Sequence, residues 1–234
     1  GSKSTAIGRG ALQTQNFTTA TDSNNVAVGF NAGVSVTTGI DNVIIGAVAG
    51  DAITDADGNV AIGKSALGGN TIGSFSVAIG KNALVTQNPA TAVSMFNVAI
   101  GTSAGLAVTT GVQNTIIGGL AGDAQTIGGD NVAIGYEALG AETQSSRNTA
   151  IGRGALKVQN VGTNSNSFNT AVGAVAGEAV TDGIKNTLVG GQAGKGLTTG
   201  DLNTFIGADT GNAVCTGDVN TAVGYGALQV VTSG

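Results

Sequence analysis

The feature that most constrains this chain is a glycine that returns at fixed intervals. Gly8, Gly29, Gly46, Gly63, Gly80, Gly101, Gly118, Gly135, Gly152, Gly173, Gly190, Gly207 and Gly224 each follow Ile or Val, and Ala stands three residues later in every case but Thr210. Successive spacings run 21, 17, 17, 17, and that order recurs twice more, so a 17-residue unit is nested in a superrepeat of 72. Self-similarity at a fixed period marks an array in which each unit buries its apolar surface only by stacking on its neighbours.

Aligned on the glycine, the sequence becomes a set of columns. The residue before it is Ile or Val, and the residue three before it is Val or Thr, as in Val26, Val43, Thr115 and Thr221. These two columns share one face of a strand, because side chains alternate with a period of two. The position between them is Ala, with Ile44, Ile116, Leu188 and Phe205 as exceptions. Both faces are apolar, the pattern of a strand buried on two sides. Each strand opens on Asn (Asn25, Asn42, Asn59, Asn97, Asn114 and successors, with Ser4 and Ser76 substituting), a residue suited to left-handed turns and to amide ladders.

A second strand is expected through Val34-Ser35-Val36-Thr37. It leads into a Thr column at Thr37, Thr54, Thr71, Thr109, Thr126, Thr143, Thr181, Thr198 and Thr232. Cys215 falls in that column and reads as a small buried stand-in for Thr. Pairs such as Thr38-Gly39 and Thr110-Gly111 punctuate the remaining turn.

Two strands and two turns per unit predict an all-β parallel β-roll, a solenoid of thirteen coils with a longer coil every fourth. Composition agrees, since Gly supplies 41 of 234 residues and aromatics only 3%, leaving a core of small and β-branched side chains. Residues 4–234 are expected to form one repeat domain, with superrepeats at about 4–75, 76–147 and 148–219 and a partial one at 220–234. Residues 1–3 are set apart as a terminus, Gly1-Ser2 reading as a remnant of cloning, with any signal or anchor lying outside this segment.

Such a coil encloses little. The Ile/Val and Val/Thr columns are expected to fill its inside and to leave the intervening column facing outward: Ala27, Ile44, Ala61, Ala99, Ile116, Ala133, Ala171, Leu188 and Phe205. A continuous apolar stripe is a binding surface, and here it would pack against identical chains.

The unit, as in Asn59-Val60-Ala61-Ile62-Gly63-Lys64-Ser65-Ala66 and Asn131-Val132-Ala133-Ile134-Gly135-Tyr136-Glu137-Ala138, resembles the head repeats of trimeric autotransporter adhesins, the YadA-like left-handed parallel β-roll. It is also similar to repeats upstream of intramolecular chaperone domains in phage tail fibres. The resemblance covers essentially the whole chain. It implies an intertwined or side-by-side homotrimer with left-handed coils, displayed on a bacterial surface or a virion. Such a fibre binds a cell-surface, matrix or glycan target, or serves as a rigid spacer. These coils are longer than those of the best-known heads, so no ligand contact carries over.

Chemistry is sparse. With no His, the usual acid–base and nucleophile triads are missing, and the carboxylates of Asp22, Asp41, Asp51, Asp123, Asp130, Glu142 and Asp218 occupy different columns, so neither an enzyme nor a cofactor is expected. Asp55-Ala56-Asp57-Gly58-Asn59 imitates part of a calcium loop, but the equivalent coils do not repeat it and an ordinary turn is the better reading. Nine basic against fourteen acidic residues supply no patch for nucleic acid, and no apolar run is long enough to span a bilayer. An ice-binding face would need two regular Thr columns, and only one exists.

The four-residue insertions are the irregularity with positional logic, because function concentrates on loops held by a rigid scaffold. They diverge over Phe17 to Asn24, Pro89 to Phe96 and Val161 to Phe168. Phe17, Thr18, Asp22, Pro89, Met95, Phe96, Val161, Asn164 and Phe168 are the candidate binding residues. The competing reading is that their large side chains tuck against the roll or a neighbouring chain.

Overall fold

A computed structural model describes residues 3–162, 165–212 and 216–229. Asn164, Cys215 and Thr232 lie outside the described residues. The chain is an all-β parallel solenoid divided into two compact units, Gly1–Gln113 and Asn114–Gly234.

In the first unit a three-residue strand precedes every anchor glycine: Thr5–Ile7, Val26–Val28, Val43–Ile45, Val60–Ile62, Val77–Ile79 and Val98–Ile100. These pair in parallel without slippage, so that Ala27, Ile44, Ala61, Ala78 and Ala99 stand side by side. The second unit repeats the arrangement with Thr115–Ile117, Val132–Ile134, Thr149–Ile151, Thr170–Val172, Thr187–Val189, Thr204–Ile206 and Thr221–Val223. Its register aligns Ile116, Ala133, Ala150, Ala171, Leu188, Phe205 and Ala222. Columns of sequence are therefore columns in space, and the thirteen coils expected from the anchors are present.

The strands are short because left-handed residues interrupt the chain four times per coil. In the coil of Gly46 these are Asp41 (φ 58°), Gly46 itself (135°), Val48 (50°) and Gly50 (48°). Extended backbone cannot pass through them. The strand expected over Val34–Thr37 is consequently absent. Tight turns replace it, with Val34 N–H donating to Asn31 O (3.3 Å) and Val36 N–H to Gly33 O (3.1 Å). Coils stay joined there by single bonds, such as Gly33 N–H to Ala49 O and Thr37 N–H to Thr54 O, both 3.0 Å. Outside the triplet ladder, the two-residue strands Gly73–Ser74 and Val93–Ser94 pair in parallel and a bridge joins Ser146 to Asn166.

The inside and outside of the strand are the reverse of the sequence expectation. Ala27, Ile44, Ala61, Ala99, Ile116, Ala133, Ala171, Leu188 and Phe205 are all 0% exposed and line the coil interior, whereas the flanking Val/Thr and Ile/Val columns face out. The interior is filled from several positions at once: the strand centre, the Ala three after the anchor, and the residues four and seven after it. No single column has room for Ile in every coil.

Volumes are matched instead. At Ala61 and Ala133, Leu67 and Leu139 four after the anchor fill the space; where the centre is Ile44 or Ile116, that position is Gly50 or Gly122, and in the Ala27 and Ala171 coils Gly33 and Gly177 are packed by Ile44 and Leu188 of the next coil. A Cβ added at Gly122 would lie 3.4 Å from Ile116 Cδ1. Close packing of this kind leaves little latitude for either partner.

Buried asparagines close most coils and tie each to the next. Asn42 Nδ2 donates across its own coil to Ala56 O (2.8 Å), while Asn42 Oδ1 accepts the N–H of Asn59 in the following coil (2.9 Å). The same pair of bonds recurs at Asn25, Asn131 and Asn186.

Candidate interaction surfaces

The outer face of the triplet strands is the first candidate. In the first unit it presents Val26, Val43, Val60, Val77 and Val98 alongside Val28, Ile45, Ile62, Ile79 and Ile100. In the second unit the Ile/Val column continues, but its companion column becomes Thr at every strand except Val132. Neither column carries a charge. Most of these side chains are half-buried by their own neighbours, and Ile100 and Ile206 are 37% and 39% exposed. Parallel sheets are ordinarily covered on both faces. Here the coil interior covers one, and among the described residues nothing from the same unit covers the other.

The long coils form the second candidate, and the structure divides the predicted residues. Pro89 and Met95 are buried, and both close on Gly73, where an added Cβ would meet Met95 Cγ at 3.0 Å and Pro89 Cδ at 3.1 Å. Phe17 and Val161 are half-buried. Thr18 and Asp22 are exposed, Asp22 pairing with Lys3 at 2.6 Å. Phe96 and Phe168 stay at the surface, 55% and 46% exposed. Sequence reasoning joined Met95 to Phe96, although adjacent residues at the end of a loop point to opposite sides.

Phe96 and Phe168 belong to a ladder that the sequence reading did not isolate, made by the residue just before each strand-opening Asn. It is left-handed in every coil, with Phe75 at φ 60° and Phe96 and Phe168 at 51°. Phe75 and Phe96 stack with centroids 5.8 Å apart and an interplanar angle of 14°. In the second unit Arg147 lies 5.6 Å over the Phe168 ring and 3.6 Å from Asp130. The signal was available: a left-handed column normally holds Asn, Asp or Gly, so large side chains there stand out.

The Thr column is not a free flat face. Thr54 Oγ1 donates to Thr71 O (3.2 Å) and Thr126 Oγ1 to Thr143 O (2.7 Å), so hydroxyls are spent joining coils. The calcium-like stretch is likewise occupied. Asp55 Oδ1 accepts from the hydroxyls of Thr37 and Thr38 at 2.7 Å each, which holds its carboxyl below the usual range, and Asp57 Oδ1 accepts the N–H of Ile40 at 2.8 Å.

The interior column seven after the anchor is polar at Gln15, Asn70 and Gln87 in the first unit and at Gln125, Glu142 and Gln159 in the second. Glu142 is fully buried, its Oε1 accepting the N–H groups of Gln144 (3.0 Å) and Ser145 (2.9 Å) and its Oε2 the Nε2 of Gln159 (3.1 Å). Gln125, one coil earlier, donates to Asn114 Oδ1 and Gly128 O, yet its Oε1 has no partner and faces Gly122 and Ile116. Both of its acceptors keep another donor, Asn131 N–H and Asn114 Nδ2. An orphaned buried carbonyl costs about 1–3 kcal/mol. Gln125→Leu is therefore expected to raise the unfolding free energy by about 1 kcal/mol, Leu197 already filling the equivalent place; a loss of stability in chemical denaturation would show that the orphan is not the dominant effect.

No protein-family model, curated protein or solved structure matches the chain. Among the described residues no three His, Cys, Asp or Glu side chains gather to hold a metal, and no helix is long and apolar enough to cross a membrane.

Proposed function

We propose that this chain is a structural and adhesive segment of an extracellular trimeric fibre, its copies packed along the outer face of the triplet strands. The observation that carries this reading is the uncharged Ile/Val and Val/Thr face of an all-parallel sheet, left without cover by its own unit. Contiguous apolar surface of this kind is a mark of association. The resemblance of the repeat to trimeric adhesin heads supplies the number of chains and the extracellular setting; the similar repeats of phage tail fibres make a receptor-binding fibre of a virion the alternative source. The fibre meets its target, on a cell, in matrix or on a glycan, through what lies away from the packed face, and the exposed long-coil residues Thr18, Asp22, Phe96 and Phe168 are available for it.

The reading is tested by Ile62→Lys with Ile134→Lys, one in each unit. Both positions are half-buried, so each lysine reaches water in a single chain while placing a charge in the proposed interface. The variant is expected to keep its far-ultraviolet circular dichroism and to fall to the mass of one chain. An unchanged mass would remove the strand face from the interface.

A further inference from the structure

A cleft of about 250 Å³ opens on the second unit, lined by apolar Leu120, Ala141 and Val158 and by charged Asp123, Glu137 and Lys157. Lys157 Nζ lies 2.7 Å from Glu137 Oε2. Burial, and then the neighbouring Glu137, raise the Asp123 carboxyl above its ordinary value.

The superrepeat shows that the fold does not require Glu137 and Lys157, although the preceding superrepeat keeps an aspartate at the position of Asp123. Seventy-two residues earlier the same positions hold Asp51, Ser65 and Val85, and seventy-two later Lys195, Asp209 and Gln229. The backbone is the same in the first two. Leu67 N–H donates to Ala83 O at 3.0 Å and Leu139 N–H to Ala155 O at 2.9 Å; Gly69 N–H donates to Val85 O at 2.8 Å and Ala141 N–H to Lys157 O at 3.0 Å. A serine and a valine build this coil as well as a glutamate and a lysine do, and an exposed ion pair adds only about 0–1 kcal/mol. In a chain with 10% charged residues, two carboxylates and an ammonium converging on one cleft call for an explanation beyond stability.

We propose that this cleft binds a neutral, hydroxyl-rich ligand, a single pyranose residue of a glycan. Asp123 and Glu137 accept from adjacent hydroxyls, Lys157 donates to a third oxygen, and Leu120 and Val158 receive the C–H face of the ring. The size agrees, since drug-sized ligands occupy about 300–1,000 Å³ and a single ring needs less. A net charge of −5, with carboxylates at the cleft, disfavours anionic sugars. The choice of a glycan rests on the fibre reading, in which several copies on one fibre multiply a weak single-site affinity.

The test uses the full chain with methyl glycosides of glucose, galactose, mannose and N-acetylglucosamine, and with sialic acid as the anionic comparison. Saturation-transfer NMR and calorimetric titration read the binding. At least one neutral glycoside is expected to bind, and Glu137→Gln with Lys157→Met to weaken it tenfold or more at unchanged melting temperature. Ala141→Phe, which fills the cleft, should abolish it. Binding of no neutral sugar, preference for sialic acid, or affinity indifferent to the Glu137 and Lys157 changes would each overturn the proposal. Failure here leaves the mass of the assembly untouched, so it is distinguishable from failure of the fibre reading.

Discussion

Gly135→Ala is expected to cost about 4 kcal/mol or more, while the same change at Gly224 costs only about 1–3 kcal/mol. Both glycines sit at the anchor position, with φ of 132° and 120°, a region that side-chain-bearing residues rarely enter. The backbone penalty is thus common to both. What differs is the next coil. A Cβ on Gly135 would stand 2.5 Å from the carbonyl oxygen of Gly152 and 2.6 Å from its carbon, whereas among the described residues nothing lies within 4 Å of one on Gly224. Backbone cannot yield as a flexible side chain does, so the coils must separate locally and lose the bonds between them. Denaturant melts of the two variants check this; equal losses would mean that coil stacking tolerates a methyl group, against the close approach described here.

Phe205→Ala is expected to lower the unfolding free energy by about 3–5 kcal/mol, as large-to-small changes in close-packed cores do. Phe205 is fully buried and its ring lies across Gly211, where an added Cβ would meet Cδ2 at 2.5 Å. The corresponding coils of the two earlier superrepeats solve the same volume problem the other way round, with Ala61 and Leu67 and with Ala133 and Leu139. Leu139 holds its place at φ 52°, and Gly211 at 62°. Gly211→Leu alone should therefore be destabilising by overlap with the ring, yet in the Phe205→Ala background it should restore most of the loss. Such a sign reversal is a coupling that only residues sharing one space can show. Additive effects of the two changes would refute the volume match.

Much of this fold is legible because a repeat averages away local ambiguity. The anchor glycine, the Asn that opens each strand and the unbroken spacing predicted parallel coils in register, and the pairing of Ala27 with Ile44 and of Ala133 with Ile116 bears that out. Two errors have separate physical causes. Reading bulk as inside put Ile62 in the core and Ala61 outside, because the width of a coil filled from several positions is not visible in any one column. Reading Val34 to Thr37 as a strand overlooked the left-handed residues at Asn31 and Gly33, which convert an apolar alternation into turns. At the surface, Phe96 and Met95 look alike in sequence and differ wholly in exposure. The cleft at Asp123, Glu137 and Lys157 was missed by a search for columns, since Glu137 and Lys157 depart from the Ser65 and Val85 of the preceding superrepeat.

The strand face decides the central claim, that this solenoid is made to pack against copies of itself. Light scattering on the purified chain, over a dilution series, measures it most directly. A constant mass of three times the 22.4 kDa chain is the expected result. A mass of 22.4 kDa at every concentration would contradict it.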